Sequence, residues 1–210
     1  MIRKRSLVRR TAAVATAGAA LFLLAACGGD ESGTAGHGGH GAASATPSTS
    51  ASASRGEHNP ADVAFAKGMI PHHRQAVEMA DLAPGRAGSA EVRKLAADIE
   101  KAQAPEIRAL SGWLTSWGEE VPAAGAMDHS AHGMGGMMTD EEMSGLGDAS
   151  GRAFDTAFLE LMIKHHEGAV EMARTERADG SYGPATKMAG EIIASQSAEI
   201  ERMRKLLGED

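Results

Sequence analysis

Two stretches of the chain share a phrase built from side chains that bind soft metals. Residues 69–80 read MIPHHRQAVEMA and residues 162–173 read MIKHHEGAVEMA. The first places Met69, His72, His73 and Met79 in order, and the second repeats them as Met162, His165, His166 and Met172. Imidazole nitrogen and thioether sulfur together suit a soft or borderline cation, above all Cu(I), with Ag(I) as a mimic. The Met-x-x-His spacing copies the Glu-x-x-His pair with which ferritin-type bundles hold di-iron. A thioether stands here in place of the carboxylate, and no Glu-x-x-His occurs in the chain. The donor set therefore points away from iron and towards copper. Core packing is the competing reading, since inward histidines are often hydrogen-bonded core groups and methionine fills gaps.

A second cluster lies between the copies. MDHSAHGMGGMM, residues 127–138, holds Met127, His129, His132, Met134, Met137 and Met138 in an otherwise polar, glycine-rich loop. Exposed methionines have no packing reason there, whereas flexible thioethers capture metal; alternatively, Met137 and Met138 cap the end of the fold. His37 and His40, in HGGHG, are a weaker signal of the same kind.

The elements that must position these donors read as helices. Phe65, Met69, His72, Ala76 and Met79 recur at three- and four-residue spacing, which places them on one helical stripe. His73 falls at the border of that stripe, about 100° from His72. Glu78 and Glu171 fall on the far side and face water. Asn59 and Pro60 start the first helix, and Ala83, Pro84 and Gly85 end it. A second helix runs from Ser89 through Leu95, Ile99, Ala102, Ile107 and Leu110 to Gly118, with a kink expected at Pro105. Thr139 and Glu142 form a capping box for a short helix. Long helices follow over residues 151–178 and from Pro184 to Gly208.

Residues 62–80 align with 155–173 at an offset of 93, with 12 of 19 positions identical. The same offset carries QAPEI (103–107) onto QSAEI (196–200) and Leu114 onto Leu207. Each half is thus a helical hairpin, and two amphipathic hairpins bury their apolar faces most simply as an all-α, antiparallel four-helix bundle. Pseudo-twofold packing would bring His72 and His165 together inside it. The domain divides into repeat one (61–118), the Met/His-rich loop (119–150) and repeat two (151–208).

The N-terminal sixty residues belong to a different class. MIRKRSLVRR carries five positive charges, and an alanine-rich apolar run follows to residue 26. This is an export signal, too short for a comfortable transmembrane helix. Leu24, Ala25, Ala26 and Cys27 match the lipoprotein box, in which the cysteine is lipidated. Arg9 and Arg10 raise a twin-arginine route, which the residues after them fit poorly. Cys27 is the only cysteine, so an internal disulfide and a multi-thiolate site are excluded. Residues 27–60, rich in Gly, Ala and Ser, read as a flexible tether. Once the five basic residues of the signal are removed from the 21 in the chain, 16 face 28 acids, a formal charge of −12. Such a surface repels nucleic acid.

FAKGMIPHHRQAVEMA, FLELMIKHHEGAVEMA and the Met/His-rich loop between them resemble the DUF305 family. The resemblance covers residues 58–208 and implies a ferritin-like four-helix bundle that binds copper outside the cytoplasm, in copper tolerance or trafficking. It implies Met69, His72, His73, Met162, His165 and His166 as ligands, with Met79 and Met172 as further candidates; Lys164 stands where the first copy has Pro71, a local asymmetry between the half-sites. The expectation is a non-enzymatic lipoprotein on the outer face of the cell membrane, which sequesters Cu(I) or hands it to a copper-trafficking partner. The alternatives are a ferritin-like, metal-dependent redox enzyme and a structural lipoprotein without metal.

Overall fold

The computed structural model describes residues 57–123 and 135–209. The expected signal, Cys27, the tether histidines His37 and His40, and the loop donors Met127, His129, His132 and Met134 lie outside the described residues.

Five helices account for the described chain: α1 (Pro60–Arg86), α2 (Ala90–Trp117), α3 (Asp140–Asp148), α4 (Gly151–Asp179) and α5 (Gly183–Leu207). The all-helical fold read from the sequence is the one observed. Helix starts follow their local chemistry. The Asn59 side chain accepts from the amides of Ala61 and Asp62 at 2.8 and 3.1 Å, while Asp62 accepts from the Asn59 amide at 2.6 Å. Thr139 and Glu142 form the expected capping box on α3. Gly118 and Gly208 close α2 and α5 at φ +79° and +80°, where a Cβ would be strained.

Three local expectations are corrected. First, Ala83, Pro84 and Gly85 do not end α1, which continues to Arg86. Pro84 lacks one hydrogen bond, but Ala83 is fully buried and packing holds the turn in place. The Ala87 amide still donates to the Ala83 carbonyl, and beyond it Asp155 captures the amides of Gly88 and Ser89, each at 2.9 Å. Second, Ala102 is exposed, and Gln103 takes the interior place on α2. Third, His73 is not at a border but fully buried, because α2 covers it.

The duplication is visible in this last turn. At the offset of 93, Asp62 stands for Asp155 and Ser181–Tyr182 for Gly88–Ser89. Asp62 accepts from the Tyr182 amide at 2.9 Å and from the Ser181 amide at 3.2 Å. Each hairpin therefore carries an aspartate that fastens the inter-helix turn of the other.

The hairpins α1–α2 and α4–α5 meet through α1 and α4, with α3 against both. One apolar cluster joins Ala76 to Ala83 of α1 with Phe154 to Met162 of α4; the other joins Phe65 to Ile70 with Ala169 and Ala173. The two central helices thus run in opposite directions, with the histidine pairs between the two clusters. Both tryptophans, Trp113 and Trp117, gather with Tyr182 and His58 at one end of the bundle, where the His58 and Trp117 rings stack at 4.4 Å. Among the described residues no helix is long and apolar enough to cross a membrane.

Candidate metal centre

Helix α1 presents Met69 and His72 one turn apart, and α4 presents Met162 and His165 in the same way. All four side chains, with His73 and His166, are fully buried. The antiparallel crossing brings the His72 and His165 rings to a centroid distance of 3.7 Å at an interplanar angle of 42°. His166 lies 6.4 Å from His165, ring to ring. Four imidazoles therefore form one polar layer between two apolar clusters.

The layer is short of hydrogen bonds. Both ring nitrogens of His72 and His165 and Nδ1 of His73 and His166 are buried without a partner. A buried polar group without a partner costs about 1–3 kcal/mol, so six such nitrogens need a reason, and bound cations would supply one for the single lone pair of each ring, four of the six. Burial, then the neighbouring imidazoles, push the pKa of His72 down to about 3; the nearby Gly135 carbonyl, outside hydrogen-bond geometry, opposes them only in part. The same causes hold His165 well below its ordinary value. Both rings are thus neutral at physiological pH and keep the lone pair a metal needs. Among the described residues no three His, Cys, Asp or Glu side chains are grouped as a metal site. The residues present fit a soft cation held by imidazole with thioether, not one caged by carboxylates.

The thioethers are distributed by the helix pitch. Met69 and Met162 lie one turn from the histidines and on opposite sides of the layer, since they belong to different apolar clusters. Met79 is fully buried and Met172 half-buried, each six residues beyond its histidine pair, or roughly 9 Å along the axis. Glu78 and Glu171 face water as expected.

The end of the Met/His-rich loop is seated beside this layer. Gln75 donates to the Met138 carbonyl at 2.9 Å and accepts from the Met138 amide at 2.7 Å, both buried. A Cβ on Gly168 would stand 1.8 Å from the Gly135 carbonyl oxygen, so only glycine admits this segment. Gln75 and Gly168 occupy the same position in the two repeats, and their difference is what seats one loop on a pseudo-symmetric pair. Met138 packs in the apolar core, as a packing side chain, while Met137 is half-buried.

Sequence reasoning missed several polar residues. Glu106 and Glu199 meet the Nε2 atoms of His73 and His166 at 2.6 and 2.7 Å. Gln103 and Gln196 are buried on α2 and α5 with side-chain atoms unpartnered. All four fall within the QAPEI/QSAEI match, whose polar identities were the available signal. Glu176 was also missed: it is buried beside Asp62, and burial, then the Asp62 carboxyl, push its pKa up to about 8.

Residues 62–207 match the DUF305 family, a domain of unknown function. No curated protein matches the chain significantly. Among solved structures, a DUF305 protein from Streptomyces coelicolor is 39% identical with a TM-score of 0.64, over 71% of this chain and 93% of that one. A DUF305 fragment from Deinococcus radiodurans is 30% identical, with a TM-score of 0.65, over 72% of this chain and 98% of that one. CopM in its Cu(I)-bound form is 33% identical, with a TM-score of 0.59, over 69% of this chain and 94% of that one. Cu(II)-bound and silver-bound forms of CopM match as well.

Proposed function

The chain belongs to the DUF305 family, and on that premise we propose that it binds copper outside the cytoplasm, as Cu(I), in the imidazole layer between α1 and α4. The observation that carries this reading is the set of six buried ring nitrogens without a partner. The similarity to CopM, which has been solved with Cu(I), Cu(II) and silver, supports it. His72, His73, His165 and His166 would hold the cation with Met69 and Met162, while Met79 and Met172 stand further off. Copper is cargo here rather than a catalytic centre. The protein sequesters it or passes it to a copper-trafficking partner, and catalyses no reaction. The basic start, the apolar run and the Leu-Ala-Ala-Cys box support export and a lipid anchor at Cys27 on the outer face of the membrane.

Cu(I) titration against a competing chelator tests the site. The protein should compete for Cu(I), and the combined His72→Ala and His165→Ala variant should lose more than the roughly 10–100-fold that removing an outer-sphere partner costs. Unchanged affinity in a variant that still folds would refute the core site. Fatty-acid labelling that persists in Cys27→Ser would refute the anchor.

A further inference from the structure

The outer histidine of each pair is not free at both nitrogens. His73 Nε2 lies 2.6 Å from Glu106 Oε2, and His166 Nε2 lies 2.7 Å from Glu199 Oε2. A carboxylate can only accept, so in each ring Nε2 carries a hydrogen, and in the neutral ring the lone pair is left on Nδ1. In both rings Nδ1 is buried and unpartnered. The carboxylates themselves reach solvent, at 22% and 21% exposure, while the rings they hold are sealed at 0%. The arrangement occurs twice at the offset of 93, on α2 and on α5. A contact kept only for shape would not need, in both copies, a charged acceptor outside and a bare acceptor within.

We propose that Glu106 and Glu199 are positioning residues that lock His73 and His166 in the Nε2–H tautomer. A soft cation in the layer is then bound by these two rings through Nδ1 alone. A ligating imidazole that gives its one N–H to a carboxylate is a more basic ligand with a fixed ring orientation. The proposal rests on the reading that the layer binds soft cations, and it specifies which atoms of two ligands do so.

Nitrogen-15 NMR of the histidine-labelled chain, titrated with Ag(I), separates the two claims. Before silver, His73 and His166 should both appear as Nε2–H rings. With silver, their Nδ1 resonances should shift while Nε2 stays protonated. The Glu106→Gln and Glu199→Gln variants, with folding checked by circular dichroism, should each weaken Ag(I) and Cu(I) binding roughly 10–100-fold. Exposed Glu171→Gln should leave it unchanged. Silver that shifts His72 and His165 but leaves both Nδ1 atoms unmoved would overturn this proposal and leave the copper reading intact, as would glutamine variants that bind like the parent. Silver that moves no imidazole at all would overturn both.

Discussion

His72 and Glu176 are two buried titratable groups whose shifts pull stability in opposite pH directions. The unfolded chain takes up a proton at His72 near the ordinary value of 6.5, whereas the folded chain does so at about 3. Between these values the unfolded state binds more protons, so the copper-free protein should lose stability as pH falls below 6.5. His165 adds to the same limb. Glu176 is raised from 4.5 to about 8, so its contribution is complete below 4.5 and is lost as pH rises towards 8. Glu176→Gln should therefore flatten the alkaline limb and make the protein more stable at pH 8, read from urea midpoints across pH. The buried histidines and methionines between α1 and α4 were legible in the sequence because both copies carry them. Their carboxylate partners were not, because Glu106 stands 33 residues from His73 on another helix, and only the folded hairpin brings them together.

At the scale of elements, helix periodicity gave the central stripes correctly and erred where a tertiary contact decides. Spacing assigned Ala102 to the interior of α2, yet Gln103 is the buried neighbour. Pro84 looked like a stop, yet α1 continues to Arg86, and just beyond it Asp155 of another helix takes hold of Gly88 and Ser89. That contact predicts that Asp155→Ala, which strips two amides of an acceptor, costs about 1–3 kcal/mol in urea unfolding. The seat of the loop gives a second test. Gln75→Ala leaves the Met138 amide and carbonyl unpaired, for about 1–3 kcal/mol. Gly168→Ala drives a methyl into the Gly135 carbonyl, for a similar cost. Because both changes release one segment, their effects should fall short of additive by about 0.5 kcal/mol or more. Amide exchange at Met138 should speed up in each variant.

Over the whole molecule, the repeat of 93 residues was the most informative feature of the sequence, since it predicted two hairpins and a shared centre. It did not reveal the paired aspartates, because Asp62 reads as an ordinary first-turn acid and each aspartate is far along the chain from the turn it holds. Both tryptophans lie with Tyr182 at the end where Asp62 holds its turn. Their fluorescence should therefore change in Asp62→Asn and stay near the parent's in Asp155→Asn, whose site is at the other end. The reciprocal aspartates also bear on assembly. A hairpin of residues 57–121 already owns both a catching carboxylate and a turn to be caught, but needs a sibling to use them. Two half-length chains could satisfy each other across a true dyad, as the present halves do across an approximate one. Such a fragment should sediment as a homodimer that Asp62→Ala weakens.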